Sequence, residues 1–298
     1  MTGPARAVPR SILYTPALSL ERVVKAWSYD ADVHLIDLED AVPPADKAAA
    51  RAVCRTALEK SPRPENVAVR INELGSLAAL HDVLMLTDSA VKPGIVLMTM
   101  VTSAEEIDLL RRTLAEAGAY PEVYVTVETV EAITRIDSVA RTADGLVLGS
   151  ADLAAELGVD ISWEAMQAAR QAMAMACARF GRACIDTANY RLAEPAVLTE
   201  ETTRARALGF HGKATVHPRE LDVINRLLRP RPDELALARR VAAAVAAANG
   251  GIAVLDGNMV GPPFARRARD TVAREDAWTS RFGSTDPAGT GAGDGGEG

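Results

Sequence analysis

Eight short apolar or β-branched runs recur along the chain, and each is followed by a helix-like stretch rich in Ala, Glu and Arg. The runs are SILYTP from Ser11, VHLIDLED from Val33, NVAVRIN from Asn66, GIVLMTM from Gly94, EVYVTVET from Glu122, GLVLGSADL from Gly145, ACIDTANY from Ala183 and GKATVH from Gly212. Each interval accommodates one strand, one loop and one helix. The pattern therefore predicts an α/β fold of the (β/α)8 TIM-barrel type, which usually takes about 250 residues.

An open, doubly wound parallel sheet is the alternative fold for the same alternation. No Gly-x-Gly-x-x-Gly motif follows the first run, so the sequence favours the barrel. Among the helical stretches, SAEEIDLLRRTLAEAG carries the clearest signals. Ser103 can cap this helix, Glu106 completes a capping box, and Gly118 can end it.

The pattern divides the 298 residues into three parts. Residues 1–250 are expected to form the barrel, with an extra C-terminal helix near Asp233–Asn249. Residues 251–282 are expected to form a C-terminal lid segment. Residues 283–298 are Gly-rich and nearly free of large apolar side chains, so we expect a disordered tail there.

The composition argues against several classes of protein. Apolar residues make up 48% and charged residues 24% of the chain, which is typical of a soluble globular protein. A net charge of −7 argues against nucleic acid or an anionic membrane as the main partner. The cysteines Cys54, Cys177 and Cys184 show no metal-ligand or redox spacing, and no apolar run is long enough to span a bilayer. We therefore expect a cytoplasmic protein with no nucleic-acid or membrane partner.

Polar side chains stand at most of the predicted strand ends. They are Glu39 and Asp40 at the second, Arg70 and Asn72 at the third, Glu128 at the fifth, Asp152 at the sixth, Asp186 at the seventh, and Lys213 to His217 at the eighth. Strand ends meet at one face of a TIM barrel, where the reactive residues gather. Several carboxylates in such a mouth would repel one another unless a cation held them.

Oxygen ligands without a His or Cys cluster favour Mg²⁺ or Mn²⁺ over zinc. We predict Glu128 and Asp152 as the metal ligands, and Glu39 and Asp40 as catalytic residues that orient metal-bound water. A strand-end Asp is also a favoured helix N-cap, which is the alternative for Asp152 and Asp40. Arg70 has two alternatives as well, a structural ion pair or a two-point contact with a substrate carboxylate.

At these residues the sequence resembles the citrate lyase beta subunit-like proteins of the HpcH/HpaI aldolase/citrate lyase superfamily, from Arg10 to about Arg274. The matching stretches are RSILYTP, DVHLIDLEDAVPPADKAAAR, VRIN, VETVEA, LVLGSADLAAELGVD, RALGFHGKATVHPREL and, more loosely, LDGNMVGPP. The resemblance implies a TIM barrel that binds Mg²⁺ through Glu128 and Asp152. It also implies that Arg70 holds the carboxylate or keto-acid end of the substrate.

The resemblance further implies an activity. Such relatives cleave or form a carbon–carbon bond next to a carbonyl, often on CoA thioesters such as citryl-CoA, malyl-CoA or citramalyl-CoA. They usually assemble as homotrimers or homohexamers, in which the C-terminal segment covers a neighbour's site. We therefore expect a Mg²⁺-dependent lyase or aldolase that acts on a small hydroxy or keto acid or on its CoA thioester, since a divalent metal polarises the carbonyl oxygen.

Three stretches depart from the family pattern. The loop TPALSLER replaces a Pro-Gly-Asn-Arg-Pro type loop after the first strand, so that Ser19 stands near the position of an anchoring Arg. Thr99 and Met100 stand where relatives often carry Pro-Lys. Gly261 stands where the lid of CoA lyases often carries an Asp that acts as acid or base.

These departures leave the choice of reaction open. Arg22, one turn beyond Ser19, and Asp186 are candidate substrate-binding residues, and either is a candidate replacement for the lid acid. The alternatives to the lyase are a metal-dependent thioester hydrolase or another enolate reaction, and a non-catalytic subunit that binds a dicarboxylate or CoA.

Overall fold

The computed structural model describes residues 7–283, and within them eight parallel strands close into a barrel in chain order. The strands are β1 (Ser11–Pro16), β2 (Val33–Asp37), β3 (Val67–Arg70), β4 (Ile95–Met98), β5 (Glu122–Val127), β6 (Gly145–Leu148), β7 (Ala183–Asp186) and β8 (Gly212–Thr215). Each strand lies within one of the eight predicted runs, and β1 pairs with β8 to close the barrel. The predicted TIM barrel is confirmed.

Helices follow the strands and cover the outside of the barrel. They are α1 (Leu20–Ala26), α2 (Lys47–Lys60), α3 (Leu77–Asp88), α4 (Ala104–Glu116), α5 (Val130–Thr134), α6 (Ile136–Thr142), α7 (Ser150–Leu157), α8 (Trp163–Phe180), α9 (Pro195–Leu208) and α10 (Leu221–Leu228). The capping box predicted for α4 is present, because the backbone N–H of Ser103 donates to Glu106 Oε1 at 3.0 Å. Ser103 and Glu106 therefore define the start of α4, as the sequence predicts.

Alternate side chains of each strand face either the helices or the barrel axis, as strand geometry requires. Ile36, Val69 and Val127 belong to the core between strands and helices. The residue after each of them must therefore point to the axis. At the carboxyl ends of the strands, this alternation turns the polar side chains of Asp37, Arg70 and Glu128, in that order, into the barrel mouth.

The compact barrel unit comprises Pro9–Arg229, and the described residues outside it, 7–8 and 230–283, belong to a second unit. The second unit contains α11 (Pro232–Ala247), a hairpin of β9 (Ala253–Leu255) and β10 (Asn258–Val260), and α12 (Pro262–Phe282). Val245, Val260 and Ala265 form its small apolar core. The predicted C-terminal helix near Asp233–Asn249 is α11. It belongs to this second unit, whereas the sequence pattern had grouped residues 1–250 with the barrel.

Two expectations concern the ends and the membrane. The predicted tail, residues 283–298, lies outside the described residues from position 284 onward. Among residues 7–283, no helix combines the length and apolar character that crossing a bilayer requires.

Candidate active site at the carboxyl end of the barrel

Arg70 is the cation of the barrel mouth, and two carboxylates from the end of β2 hold it. Its Nε donates to Asp37 Oδ1 at 2.8 Å and its Nη2 donates to Asp37 Oδ2 at 2.6 Å. Its Nη1 lies 3.0 Å from Glu39 Oε2. Burial disfavours the charge of Arg70, but the hydrogen bonds and charge of Asp37 outweigh burial and raise the pKa of Arg70. Arg70 therefore stays charged and fixed in orientation.

The loop after β2 places Glu39 beside Arg70. The backbone N–H of Glu39 donates to Asp37 Oδ1 at 2.9 Å, and Lys47 Nζ donates to the carbonyl oxygens of Leu38 and Glu39, each at 2.8 Å. Burial raises the pKa of Glu39 to about 7, although the charge of Arg70 acts in the opposite direction. A carboxyl group in this range can gain or lose a proton near neutral pH.

Tyr14, from β1, completes this side of the mouth. The guanidinium carbon of Arg70 lies 5.3 Å from the centre of the Tyr14 ring, within the range of a cation–π contact. Burial raises the pKa of the Tyr14 phenol, and the charges of Asp37 and Glu128 add to that rise. The phenol therefore stays protonated at neutral pH and can donate a hydrogen bond there.

Glu128, directly after β5, is a second buried carboxyl group of the mouth, with 4% of its surface exposed, and it lies near Arg70 and Glu39. Its Oε1 accepts a hydrogen bond from the backbone N–H of Met100 at 2.7 Å. Met100 follows β4 and has φ +53°, a left-handed conformation that is uncommon for this residue type. Thr99 Oγ1 donates to the carbonyl oxygen of Ile71 at 3.1 Å and ties this turn to the end of β3.

The backbone of Gly149, at the end of β6, packs directly against Glu128. A Cβ atom on Gly149 would lie 2.5 Å from Glu128 Oε2 and 2.6 Å from Glu128 Cβ. Such contacts are too short for any side chain, so only glycine permits this approach of backbone to carboxylate. The sequence LVLGSADL thus combines a required glycine with Asp152 in the first turn of α7.

Asp152 and Glu128 are neighbouring carboxyl groups, and the charge of Asp152 disfavours ionisation of Glu128. Burial raises the pKa of Glu128 to about 8, and the charges of Asp152 and Glu39 add to the rise. Gly149, not Asp152, is the N-cap of α7, so the alternative reading of Asp152 as the N-cap does not hold.

This pair fits a Mg²⁺ ion on its chemistry. None of the described residues forms a group of three or more His, Cys, Asp or Glu that could hold a metal. Mg²⁺ commonly takes only one or two carboxylates and fills its remaining positions with water and substrate. A bound cation would also remove the cost of ionising Glu128 in a buried position.

Two of the predicted site residues lie at the margin of this group. Asp40 is exposed, and its carboxyl group is hydrogen-bonded to that of Glu39. The 3₁₀ helix after this loop begins beyond Pro43, so Asp40 is not a helix N-cap. Arg22 lies exposed in the first turn of α1, where its backbone N–H donates to Ser19 Oγ at 3.3 Å.

The predicted substrate-binding residue Asp186 does not face the barrel mouth. Its side chain lies in the layer between the strands and the helices. It is fully buried, and its carboxylate accepts hydrogen bonds from Arg170 Nε on α8 at 2.8 Å and from Lys213 Nζ on β8 at 3.0 Å. Burial opposes ionisation, but these two cations lower the pKa of Asp186. The side chain faces α8 because Cys184, two residues earlier, also faces the helices.

Three residues of this site were given no role in it from the sequence. Asp37 forms an ion pair with Arg70, and the ring of Tyr14 covers the face of the Arg70 guanidinium. Gly149 packs against the Glu128 side chain. The alternation within β2 carries a signal for Asp37, since Ile36 and Leu38 face the helices and the residue between them must face the axis. Nothing in the local sequence indicates the close approach at Gly149.

The chain is similar to proteins of known family. A family model described as HpcH/HpaI aldolase/citrate lyase matches residues 10–218. The (3S)-malyl-CoA thioesterase of Cereibacter sphaeroides is 30% identical over 278 residues, covering 90% of this chain and 95% of the relative. A citrate lyase subunit beta-like protein of Mycobacterium tuberculosis is 32% identical over 285 residues, covering 92% of this chain and 98% of the relative.

A solved structure shares the fold. The protein CitE from Mycobacterium tuberculosis, in complex with magnesium, acetoacetate and coenzyme A, has a TM-score of 0.76 at 30% sequence identity, covering 91% of this chain and 99% of that chain. The family match extends over more than half of the chain and includes every strand of the barrel. The chain therefore belongs to the HpcH/HpaI aldolase/citrate lyase family.

Proposed function

We propose that the protein is a Mg²⁺-dependent carbon–carbon lyase that acts on a small hydroxy acid or its CoA thioester. The observation that carries this proposal is the placement of Arg70, charged and fixed by Asp37, in the same mouth as the carboxylates of Glu128 and Asp152. One cation and one pair of candidate metal ligands suit a substrate that carries a carboxylate beside a hydroxyl or carbonyl oxygen.

Glu128 and Asp152 would hold the metal, and Mg²⁺, when bound, polarises the substrate's carbonyl oxygen. Arg70 binds the carboxylate of the substrate. Of the five N–H donors of a guanidinium, its contacts with Asp37 and Glu39 account for three, which leaves two for a substrate.

Glu39 is suited to the proton transfer of the cleavage step. Its pKa of about 7 lets it accept the hydroxyl proton of the substrate near neutral pH. The electrons of the broken carbon–carbon bond then pass to the carbon next to the carbonyl. Arg70, 3.0 Å away, favours the ionised Glu39 that begins each cycle.

A thioester hydrolase is the second candidate. The 30% identical relative from Cereibacter sphaeroides is named a (3S)-malyl-CoA thioesterase, and Gly261 replaces the lid carboxylate that the resemblance implies for CoA lyases. Hydrolysis releases free CoA and leaves the carbon skeleton of the acid intact, so the products separate the two reactions.

The test is turnover of malyl-, citramalyl- and citryl-CoA and of the corresponding free acids, with and without Mg²⁺, with products identified by mass. Metal-dependent cleavage into two carbon fragments supports the lyase, and free CoA with an intact acid supports the hydrolase. Binding of Mg²⁺ and acid without any product would contradict both and leave a binding subunit. In each active case, Asp152→Asn should lose turnover.

Gly261 offers a matched pair of variants. Gly261 is the N-cap of α12, and Asp and Asn are both favoured there, so either substitution should stabilise the helix to a similar extent. Only Asp can transfer a proton. Lyase activity that rises in Gly261→Asp but not in Gly261→Asn would show that the missing lid carboxylate limits the reaction.

We also propose a cytoplasmic homotrimer or homohexamer. The resemblance supports this assembly, as do the exposed side chains of Ile252, Val254 and Met259 on and beside the β9–β10 hairpin. Cys54, Cys177 and Cys184 are free and buried, which suits a reducing compartment. Light scattering coupled to size-exclusion chromatography measures the assembly directly, and a monomer at micromolar concentration would contradict it.

A further inference from the structure

A small cavity lies beside the barrel mouth, at the carboxyl end of β7. It has a volume of about 50 Å³, and its lining includes Ser162, Arg170, Thr187 and Asn189. Thr187 follows β7, and its hydroxyl group is hydrogen-bonded at 2.8 Å to that of Ser150, the residue next to Gly149. The cavity is therefore one strand away from the Glu128 carboxylate but is built from other residues.

Arg170 is buried, with 2% of its surface exposed, and it is held rigidly from two sides. Its Nε donates to Asp186 Oδ1 at 2.8 Å, and its guanidinium carbon lies 4.2 Å from the centre of the Trp163 ring. Its Nη1 is buried and has no hydrogen-bond partner among residues 7–283. An unpaired donor on a buried cation is costly, so a missing acceptor is expected here.

The arrangement of charges around the cavity favours an anion as that acceptor. Asp186 is shared between Arg170 and Lys213, and Glu201 lies 3.8 Å from Lys213. Arg191 also lines the cavity. Glu201 lines the cavity as well, and the buried Glu220 accepts a hydrogen bond from Asn189 Nδ2 at 2.9 Å, so the three cations and three carboxylates of this group balance in number. Arg170 nevertheless has no carboxylate to itself, because Asp186 is shared with Lys213. The hydroxyl groups of Ser162 and Thr187 add polar contacts, whereas the Asn189 amide is already bonded to Glu220 and to the backbone of Arg191.

We infer that this cavity binds the carboxylate group of a small organic acid through the guanidinium group of Arg170. Asp186 already occupies the Nε side of the guanidinium, and the Trp163 ring covers its face. A planar carboxylate suits the remaining edge. The cavity has room for a group of this size and not for a phosphorylated cofactor. The site is separate from the metal ligands, and the inference does not depend on the proposed lyase reaction.

The probe is acetate, titrated at constant ionic strength into the full chain without Mg²⁺ and with a chelator present. Trp163 contacts Arg170, so its emission reports on the cavity when Trp27 and Trp278 are replaced with Phe. We expect saturable binding in the millimolar range. No saturable change in emission, with the cavity holding only water, would overturn the inference.

Two variants locate the bound ion. Ala188→Leu fills the cavity from its lining without touching the Arg170–Asp186 pair, and it should weaken acetate binding at least tenfold. Arg170→Lys keeps a charge for Asp186 but not a second nitrogen atom for the cavity, and it should have the same effect. Unchanged binding in both variants would place the ion elsewhere, for example at Arg70, and would overturn the inference.

Arg204→Lys is the matched control, because Arg204 also lies 4.2 Å from the centre of the Trp163 ring but does not line the cavity. This variant should bind acetate as the wild type does. Equal losses in Arg204→Lys and Arg170→Lys would mean that Trp163 responds to its cations rather than to an ion in the cavity, and this result would also overturn the inference.

Discussion

Asp37 and Arg70 are register partners on the neighbouring strands β2 and β3, and their side chains form a two-point ion pair in the barrel mouth. The pairing is a consequence of the fold. Adjacent parallel strands in register turn both side chains to the same side, and both strands end at this level. The orientation of Arg70, the proposed substrate-binding cation, is therefore set by a carboxylate that itself need not touch the substrate.

Asp37→Asn should weaken catalysis by loosening Arg70 rather than by removing a reacting group. The amide retains one acceptor but loses the charge, so we expect kcat/KM to fall by about 10- to 100-fold, mainly through KM. Mg²⁺ affinity should stay close to that of the wild type. Asp144→Asn is the control, since Asp144 pairs with Arg111 before the start of β6, at the opposite end of the barrel. Equal losses in the two variants would argue against a positioning role for Asp37.

Glu128→Gln should abolish Mg²⁺ binding and yet stabilise the metal-free protein at high pH. The pKa of Glu128 is about 8 in the folded state, above its value of about 4.3 in an unfolded chain. The folded state thus holds the extra proton between these values, and stability falls as the pH rises through this window. Removing the carboxylate removes that loss, which is on the order of 5 kcal/mol over the whole window.

Urea unfolding in the presence of a chelator at pH 5.5, 7 and 8.5 measures this difference. Asp152→Asn, at a half-buried position, is the comparison variant and should change the pH profile less. If the wild type and Glu128→Gln lose stability in parallel between pH 5.5 and 8.5, the buried carboxylate is not the source of the pH dependence.

Metal binding should release about one proton at pH 7. Glu128 is mostly protonated there without metal, because its pKa is about 8, and a Mg²⁺ ligand must be ionised. Calorimetric titration of Mg²⁺ in buffers of different ionisation enthalpy gives the number of protons released. The apparent affinity should rise about tenfold per pH unit below pH 8 and level off above it. An affinity independent of pH from 6 to 8 would contradict the role of Glu128 as a ligand.

The sequence predicts the barrel well, because eight apolar runs with helical intervals leave few other arrangements. It also places Glu39, Arg70, Glu128 and Asp152 at strand ends, and the structure brings these side chains together. Asp186 shows the limit of that reasoning. A position at a strand end does not say which face of the strand a side chain takes, and one step in the alternation separates the mouth from the helix layer.

The site depends on backbone features that no residue pattern reveals. The left-handed conformation of Met100 points its backbone N–H at the Glu128 carboxyl group, although Met has no intrinsic preference for φ +53°. Likewise, the close packing of Gly149 on Glu128 joins residues 21 positions apart, so it depends on the register of β5 and β6.

Gly149→Ala should displace the Glu128 carboxylate without unfolding the barrel. The added methyl group would meet Glu128 Oε2 at 2.5 Å, Glu128 Cβ at 2.6 Å and Thr126 Cγ2 at 2.7 Å, so the carboxylate and the end of β5 must both shift. We expect Mg²⁺ affinity to fall at least tenfold and Tm to fall as well. Gly261→Ala is the control, because its nearest contact would be Ile252 Cγ1 at an ordinary 3.7 Å. Wild-type Mg²⁺ affinity in Gly149→Ala would show that Glu128 does not need its present position to bind metal.

His34 should make the protein sensitive to acid. Its Nδ1 is buried with no hydrogen-bond partner among the described residues, and its ring contacts Trp27 edge to face at 5.2 Å. Burial lowers the pKa of His34 to about 4, so the unfolded state, with a His pKa of about 6.5, binds the extra proton between these values. Stability is therefore fully present above pH 6.5 and is lost as the pH falls toward 4.

His34→Phe keeps the edge contact with Trp27 and removes the titrating group. Between pH 6.5 and 4.5 it should lose less stability than the wild type, by about 2 kcal/mol, as measured by urea unfolding. His81→Phe, at an exposed position on α3, is the control and should follow the wild-type profile. The same acid-induced loss in His34→Phe and the wild type would assign the sensitivity to groups other than His34.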